Sequence, residues 1–217
     1  MTGILYSVDD LPEDVEKVVT LDMGGTIVKG NELGSTHAQY NTGLGMTENQ
    51  EEDLFKRHVG ANGDIRDHAE HALRQSEILS SYDESNLENY AEVTQQILED
   101  REIIEGADNF IEELHGLDYT TLVLSSAPKA VTKPFSEKLD VDHVYKWKDF
   151  EFDEEGEFVQ VYVNSEGRKG KHQVIGNLQQ KGLETAHFGN GDNDKRAVKK
   201  ADSGLRQWWI SNPERAY

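Results

Sequence analysis

The chain has 217 residues, which suits one domain with or without an inserted subdomain, and it has no cysteine, which excludes disulfides and thiolate metal sites. Its 42 acidic side chains outnumber 22 basic ones, and the net charge of −20 makes nucleic acid and anionic membranes poor partners. No apolar run approaches the roughly 20 residues of a membrane span, and the N-terminus lacks a signal-peptide pattern, so we expect a cytoplasmic protein. An acidic surface also fits a salt-rich cytoplasm, and composition alone leaves that question open.

The first hundred residues predict one strand followed mainly by helices. Residues 17–22 form an apolar run that predicts a buried strand, and the polar, Gly-rich residues 31–49 predict a loop or a weak helix. Apolar side chains at helical spacing predict helices over 64–80 and 85–99, with Ser85-x-x-Glu88 as a capping box at the start of the second helix.

Two histidines in the first of these helices raise the question of a metal site. His68 and His71 are three residues apart and have acidic neighbours. A solvated helix face is the favoured interpretation, because a charged, polar stretch of helix usually faces water.

Helices and strands alternate in the second half of the chain. The pattern predicts, in order, a helix over 107–116, a strand over 119–126, a helix over 128–139, a strand over 142–147, a hairpin over 150–163, a helix over 170–182, a strand over 184–189, a helix over 194–201 and a strand over 204–210. This alternation predicts an α/β fold in which helices cover both faces of a parallel sheet.

Polar side chains follow three of the predicted strands. Asp22, Ser125 and Asn190 each lie where a strand ends. Because ligands of parallel sheets bind at the carboxyl ends of the strands, we expect these three residues to form one site.

Four short motifs occur in a characteristic order along the chain. They are Asp22-Met-Gly-Gly-Thr after the first strand, Ser125 at a strand end, Lys171 at the start of a helix, and the segment FGNGDND over 188–194. Their order and spacing resemble those of the haloacid dehalogenase-like hydrolase superfamily, in particular its phosphoserine-phosphatase-like branch. The resemblance extends over nearly all of residues 17–210.

The resemblance implies a domain organisation and an activity. It implies a Rossmann-like parallel sheet with helices on both faces, formed by residues 1–30 and 101–217, and a helical cap inserted over 31–100. It also implies a phosphohydrolase in which Asp22 attacks phosphorus and forms an aspartyl-phosphate that water then cleaves. The partner implied is a small phosphorylated molecule.

The resemblance further assigns roles to the motif residues. Lys171 would be the catalytic lysine, and its apolar spacing to Ile175 and Leu178 favours it over Lys169. Mg²⁺ would be the cofactor, because it offsets the repulsion between a carboxylate and a phosphate. The metal ligands implied are Asp22, Gly24 through its carbonyl, Asn190 and Asp194. The implied substrate-binding residues are Gly25, Thr26, Ser125 and Ser126.

Two positions depart from the family pattern. Gly24 stands where the family has a second Asp that donates and accepts protons, and that acid–base step is typically worth about 10²–10⁴ in rate. Asn190 stands where the family has a metal-binding Asp, although a register shift would bring Asp192 into that role. An amide oxygen can bind Mg²⁺ but brings no charge, so weaker metal binding is expected.

These two departures are compatible with two functional hypotheses. The first is an active phosphatase whose substrates have good leaving groups, and the second is a catalytically silent relative that binds a phosphorylated ligand or a protein. A remote third hypothesis is a sugar-kinase-like or actin-like ATPase, since Asp22-x-Gly-Gly-Thr-x-x-Lys29 also resembles the first phosphate loop of those proteins. The chain lacks their second Gly-rich loop.

Overall fold

The computed structural model describes residues 2–30, 35–58 and 67–206. Within these ranges the strands are β1 (Gly3–Leu5), β2 (Lys17–Leu21), β3 (Thr120–Val123), β4 (His143–Tyr145), β5 (Lys148–Phe152), β6 (Phe158–Val163), β7 (Glu184–Gly189) and β8 (Ser203–Arg206). The α-helices of the described residues are α1 (Thr36–Gly43), α2 (Glu48–His58), α3 (His68–Leu79), α4 (Leu87–Asp100), α5 (Ala107–Gly116), α6 (Lys129–Lys138), α7 (Lys171–Gln180) and α8 (Lys195–Lys200).

Six strands form one parallel sheet in the order β1-β4-β3-β2-β7-β8. The chain moves outward from β2 through β3 to β4, and later returns to place β7 on the other side of β2. The strand order therefore reverses at β2, and such a reversal opens a crevice beyond the carboxyl ends of the strands.

Apolar side chains of the central strands alternate between the two faces of this sheet. Val19 and Val123 face a cluster that includes Ile111 of α5 and Phe135 of α6. The neighbouring Val18 faces the opposite cluster, and the members of that cluster from α7 and α8 are Val174, Ile175, Leu178 and Ala197. Helices thus cover both faces, as the alternation predicted, because each face of the sheet must be removed from water.

Helices α1 to α4 pack with one another and with the antiparallel β5–β6 hairpin. Ser76 Oγ of α3 accepts a hydrogen bond of 2.8 Å from the Val161 amide, and the Leu87 amide at the start of α4 donates to Gly156 O at 2.8 Å. The hairpin therefore lies on the helical layer, although it belongs to the chain segment assigned to the core. The division into a core and a cap over 31–100 stays a prediction.

Several local predictions are corrected by the structure. The segment predicted as a loop or weak helix contains α1 and the start of α2. The cap of α4 is Asn86, whose Oδ1 accepts from the Asn89 amide, while Ser85 instead donates to Leu44 O. Strand β1 was missed, because three residues carry too little pattern. The last strand is described to residue 206, and 207–210 lie outside the described residues.

None of the helices in the described part of the chain is long and apolar enough to span a membrane.

Candidate active site

The three strand ends predicted to meet do meet. Strand β2 lies between β3 and β7, and the Asp22 amide donates to Phe188 O at 2.9 Å, which continues the pairing of β2 with β7. A cavity of about 280 Å³ opens at this edge of the sheet. It is lined by Asp22, Met23, Gly24, Gly25, Gly30, Ser35, Thr36, His37, Arg101, Ser125, Ser126, Ala127, Asn190 and Asn193.

A buried lysine joins two of the motifs. Lys171, at the first position of α7, is 1 % exposed, and its Nζ lies 2.6 Å from Asp22 Oδ1 and 2.6 Å from Asp194 Oδ1. Lys169, the alternative, is exposed. The structure therefore places Lys171 beside Asp22, because only the face of α7 that carries Val174 and Leu178 turns toward the sheet.

Behind Lys171, Asp194 is fully buried and bonded on both oxygens. Its Oδ1 accepts from Lys171 and lies 3.1 Å from His187 Nε2, and its Oδ2 accepts from the Gly191 amide at 2.9 Å. His187 Nδ1 lies 2.8 Å from Thr20 Oγ1. An ionised carboxylate can only accept, so the Nε2 of His187 carries a proton.

The charged groups of this cluster shift one another's pKa values. Burial raises the pKa of Asp22, and Lys171 opposes that rise. Burial also acts to raise the pKa of Asp194, but Lys171 and the hydrogen bond from His187 outweigh it and lower that pKa. Burial alone would lower the pKa of Lys171, yet Asp22 and Asp194 raise it, so the ammonium is held charged between two carboxyl groups.

The turn after Asp22 uses much of its own hydrogen-bonding capacity. The amides of Thr26, Ile27 and Val28 all donate to Met23 O, and the Gly25 amide donates to Val28 O. These amides are not available to a phosphate. Within the described residues, the amides of Met23 and Gly24 have no acceptor, so they are the donors that remain at this turn.

Gly25 and Thr26, both expected to bind substrate, have different surroundings in this turn. Gly25 has a φ of +76°, and an added Cβ would meet the side-chain amide of Asn190, so glycine is required by conformation and by space. Thr26 is fully buried, its hydroxyl has no partner among the described residues, and it does not line the cavity. The substrate contact expected of Thr26 stays a prediction.

Ser125 and Ser126 both line the cavity. Ser125 Oγ accepts from the Ala127 amide at 3.2 Å, which leaves its hydroxyl proton available to a ligand. The backbone carbonyl of Ser126 lies 2.6 Å from His37 Nε2, and the interaction ties the start of α1 to the end of β3.

Oxygen donors suited to Mg²⁺ occur on the cavity side of Asp22. Asp22, Gly24 and Asn190 all line the cavity, and they supply a carboxylate, a backbone carbonyl and an amide oxygen. Mg²⁺ is often held by one or two carboxylates with waters and substrate phosphate completing its shell, so this donor set fits the ion. The described residues contain no group of three or more His, Cys, Asp or Glu side chains placed to hold a metal.

Asp194 was predicted to bind Mg²⁺, and that role stays a prediction. Neither it nor Lys171 lines the cavity, and both of its oxygens are already engaged. An added Cβ at Gly189 would meet its carboxyl group, which shows how closely the loop wraps around it. Asp194 thus holds Lys171 and the 189–194 loop. The side chain of Asp192 lies outside the described residues, so the alternative register keeps its status as a hypothesis.

Several cavity residues were missed by sequence reasoning, among them Arg101, His37 and Asn193. Arg101 and His37 come from segments outside the four motifs, and no local pattern distinguishes them from surface residues. Asn193 lies inside the fourth motif, so its position in the sequence could have indicated that it lines the cavity.

The histidine pair of α3 was interpreted wrongly as a solvated face. His68 and His71 are 4 % and 5 % exposed, and Lys148 of β5, at 2 %, places its Nζ 3.4 Å from His71 Nδ1. Burial and the charge of Lys148 lower the pKa of His68 to about 3 and lower that of His71 as well. The hairpin covers this helix face, and a single-sequence pattern could not reveal that contact.

Comparisons with known proteins place these features in a family. Residues 16–202 match the family model described as haloacid dehalogenase-like hydrolase. No curated protein sequence matches the chain significantly.

Solved structures share the fold at low sequence identity. A substrate-bound phosphoserine phosphatase is 20 % identical, with a TM-score of 0.62 over 88 % of this chain and 86 % of that one. A phospho-aspartyl intermediate analogue of phosphoserine phosphatase is 18 % identical, with a TM-score of 0.61 over the same shares. A phosphoserine phosphohydrolase-like protein from Francisella tularensis subsp. tularensis SCHU S4 is 13 % identical, with a TM-score of 0.59 over 91 % and 98 %. At these identities the likeness concerns the fold.

Proposed function

Because the chain belongs to the haloacid dehalogenase-like hydrolase family, we propose that it is a phosphohydrolase that cleaves a small phosphorylated molecule through a covalent intermediate at Asp22. The observation that carries the proposal is the position of Lys171, whose Nζ lies 2.6 Å from Oδ1 of Asp22, while Asp22 and Ser125 line one cavity. The solved phosphoserine phosphatase structures, one of them a phospho-aspartyl intermediate analogue, support the same chemistry.

The first step uses Asp22 as the nucleophile. Its Oδ1 faces Lys171, while Oδ2 has no hydrogen-bond donor among the described residues and is free to attack phosphorus. An oxygen–phosphorus bond to Asp22 forms as the bond from phosphorus to the leaving oxygen breaks. Water then attacks phosphorus, which releases phosphate and restores the carboxylate.

Other groups stabilise the transferred phosphoryl group. Lys171 supplies positive charge, and the Ser125 hydroxyl and the amides of Met23 and Gly24 supply hydrogen-bond donors near Asp22. Asp194 and His187 keep Lys171 in place from behind. A lysine held in this way need not reorganise when negative charge develops on the phosphoryl oxygens.

We include Mg²⁺ in the proposal, held by Asp22, the Gly24 carbonyl and Asn190. Its chemistry would be to neutralise the phosphoryl oxygens that a carboxylate must approach. Asn190 contributes no charge, so we expect metal binding to be weak before a phosphorylated ligand arrives.

Gly24 determines which substrates can react quickly. It has no proton to give, and an added Cβ there would meet no atom within 4 Å, so no neighbouring side chain occupies the place of the absent acid. Leaving groups that are stable as anions, such as those of acyl phosphates and aryl phosphates, require little protonation. We therefore propose that such substrates turn over faster than alkyl phosphates.

A catalytically silent binding protein is the second candidate, and the same Gly24 and Asn190 favour it. The ATPase hypothesis has no comparable support. The segment that resembles an ATPase phosphate loop, Asp22 to Lys29, lies within residues 16–202, which match the hydrolase family.

The deciding experiment is phosphate release from acetyl phosphate and p-nitrophenyl phosphate, with Mg²⁺ and with EDTA. We expect metal-dependent turnover that Asp22→Asn abolishes. Asp53→Asn, an exposed aspartate paired with Arg57, is the matched control and should behave as the unmodified protein. Turnover that survives Asp22→Asn would rule out the nucleophile, and no turnover from the folded protein would favour the silent relative.

A further inference from the structure

Arg101 lines the same cavity as Asp22 and has no ionic partner. It follows directly after α4, is 7 % exposed, and no carboxylate of the described residues lies within the 4.0 Å of an ion pair. The contact described for its guanidinium is a long 3.5 Å hydrogen bond from Nη2 to Gln39 Oε1, and its Nε is buried without any acceptor.

An arrangement of this kind is costly for a protein to keep. A guanidinium is effectively always charged, and a buried charge without a partner loses its hydration with nothing in return. Three other arginines of the described residues differ from Arg101: Arg57, Arg74 and Arg168 are exposed, and each pairs with a carboxylate. The unpaired guanidinium of Arg101 therefore indicates that the cavity binds an anion that is not part of the chain.

A second feature of the cavity wall also favours an anion. The first turn of α1 lines the cavity through Ser35, Thr36 and His37. Ser35 Oγ accepts from the Ala38 amide, so it caps one donor of the helix. The amides of Thr36 and His37 have no acceptor within the helix, and free amides with the positive end of the helix dipole attract negative groups.

We propose that Arg101 and the first turn of α1 form a subsite for a second anionic group of the substrate. The inference rests on the proposed function and extends it, because it names the substrate class: a small phosphate ester whose other end carries a carboxylate or a second phosphate. Asp22 and Lys171 receive the phosphoryl group to be cleaved, and Arg101 receives the other anion. A cavity of about 280 Å³ suits small molecules of this class.

The planar guanidinium suits either kind of second anion. Both carboxylate and phosphate present two oxygens to the fork of N–H donors, and such paired hydrogen bonds are stronger than neutral ones. The net charge of −20 makes the rest of the surface repel anions, so retention of such a ligand depends on these local donors.

The test measures binding by calorimetry with the Asp22→Asn protein, which cannot turn the ligand over. The probes are glycerol 3-phosphate, 3-phosphoglycerate, in which a carboxylate replaces the terminal CH₂OH, and 1,3-propanediol bisphosphate. We expect at least one of the two doubly anionic probes to bind about tenfold or more tightly than glycerol 3-phosphate, as hydrogen bonds to charged groups allow. Which of them binds more tightly distinguishes a carboxylate from a phosphate at the subsite.

Substitutions at Arg101 identify the origin of that preference. In the Asp22→Asn background, Arg101→Gln should bring the affinity ratio close to one, and Arg101→Lys should keep part of it. Arg74→Gln, an exposed arginine paired with Glu77 away from the cavity, is the matched control and should leave the ratio unchanged. Circular dichroism checks whether each variant folds. If Arg101→Gln does not fold, the affinity ratio of Arg101→Lys is compared with that of Asp22→Asn instead.

Equal binding of the three probes to Asp22→Asn would overturn the subsite, as would a preference that survives Arg101→Gln. Absence of binding by all three would overturn it too. The binding assay needs no turnover. Failure to release phosphate from any substrate would therefore contradict the proposed hydrolysis, whereas the subsite is judged by the binding result alone.

Discussion

Two lysines of this protein are almost completely buried and have opposite electrostatic environments. Lys171 lies at the carboxyl edge of the sheet with Asp22 and Asp194 each 2.6 Å away, and those carboxyl groups raise its pKa. Lys148 lies between α3 and the β5–β6 hairpin, no carboxylate of the described residues is in ion-pair distance, and burial lowers its pKa to about 7.

The difference shows that partners, more than burial, determine whether an ammonium keeps its charge. Lys171 and Lys148 are 1 % and 2 % exposed, so desolvation penalises both. Only the first has carboxylates to offset that penalty. The sheet edge is therefore built to hold a permanent positive charge beside Asp22, whereas the hairpin interface holds an amine that can lose its proton near neutral pH.

The largest effect should follow from removing the paired lysine. Lys171→Met leaves Asp22 and Asp194 buried together without a cation, so we expect a loss of about 3–5 kcal/mol in the free energy of unfolding. Phosphatase activity should fall to background, because positive charge at the phosphoryl group is lost. Urea unfolding and phosphate release are the measurements.

Lys169→Met is the control for that substitution, since Lys169 is exposed and two residues away. It should change neither quantity. If Lys171→Met were as stable and as active as Lys169→Met, the assignment of Lys171 to the active site would be wrong.

An effect of comparable size is expected from the unpaired lysine, and it should depend on pH. The pKa of Lys148 is about 7 in the folded chain and about 10.4 in the unfolded chain, so the unfolded chain binds more protons between these values. The free energy of unfolding therefore rises with pH from about 7 to 10.4, by at most about 5 kcal/mol from this group. Below pH 7 both states hold the proton, and the full penalty applies.

The contribution of Lys148 is isolated by measuring the free energy of unfolding at a series of pH values. At each pH, the value for Lys148→Met is subtracted from that of the unmodified protein. The variant should be the more stable protein at pH 6 and lose that advantage as pH approaches 10, whereas Lys169→Met should show a constant difference. A difference between the unmodified protein and Lys148→Met that does not vary with pH would mean that Lys148 has an ionic partner after all.

Adding a carboxylate on the cavity side of Lys171 should restore the absent proton donor. Gly24→Asp places it in open space, and we expect turnover of alkyl phosphates to rise toward 10²-fold, about 2.7 kcal/mol in the barrier. Gly24→Ala is the control, because it fills the same space without an acid. Equal rates in the two variants would show that the acid is not what limits this site.

The smallest effect concerns the metal. Asn190→Asp replaces an uncharged oxygen ligand with a charged one, so we expect Mg²⁺ to bind about tenfold more tightly, or about 1.4 kcal/mol. Calorimetry measures the binding, and Asn193→Asp controls for a charge elsewhere on the cavity wall. If neither the unmodified protein nor Asn190→Asp binds Mg²⁺, the metal has to be removed from the proposed mechanism.

The candidate site was predictable where it depends on strand ends. Asp22, Ser125 and Asn190 follow apolar strands, and parallel strands bring their carboxyl ends to one edge whatever the remaining sequence is. Lys171 was predictable from the apolar positions that follow it in α7. Thr26 and Asp194 were harder, because a residue within a motif can face either the cavity or the packing behind it.

The alternation of strands and helices, the family and the residues that end the central strands can all be predicted from the sequence, since they depend on patterns along a short stretch of chain. Three further features required the folded structure: the hairpin covers His68 and His71, Arg101 lines the cavity beside Asp22, and Lys171 is paired while Lys148 is not. Those outcomes depend on which segments, distant in the chain, come into contact, and burial, pairing and pKa are properties of such contacts.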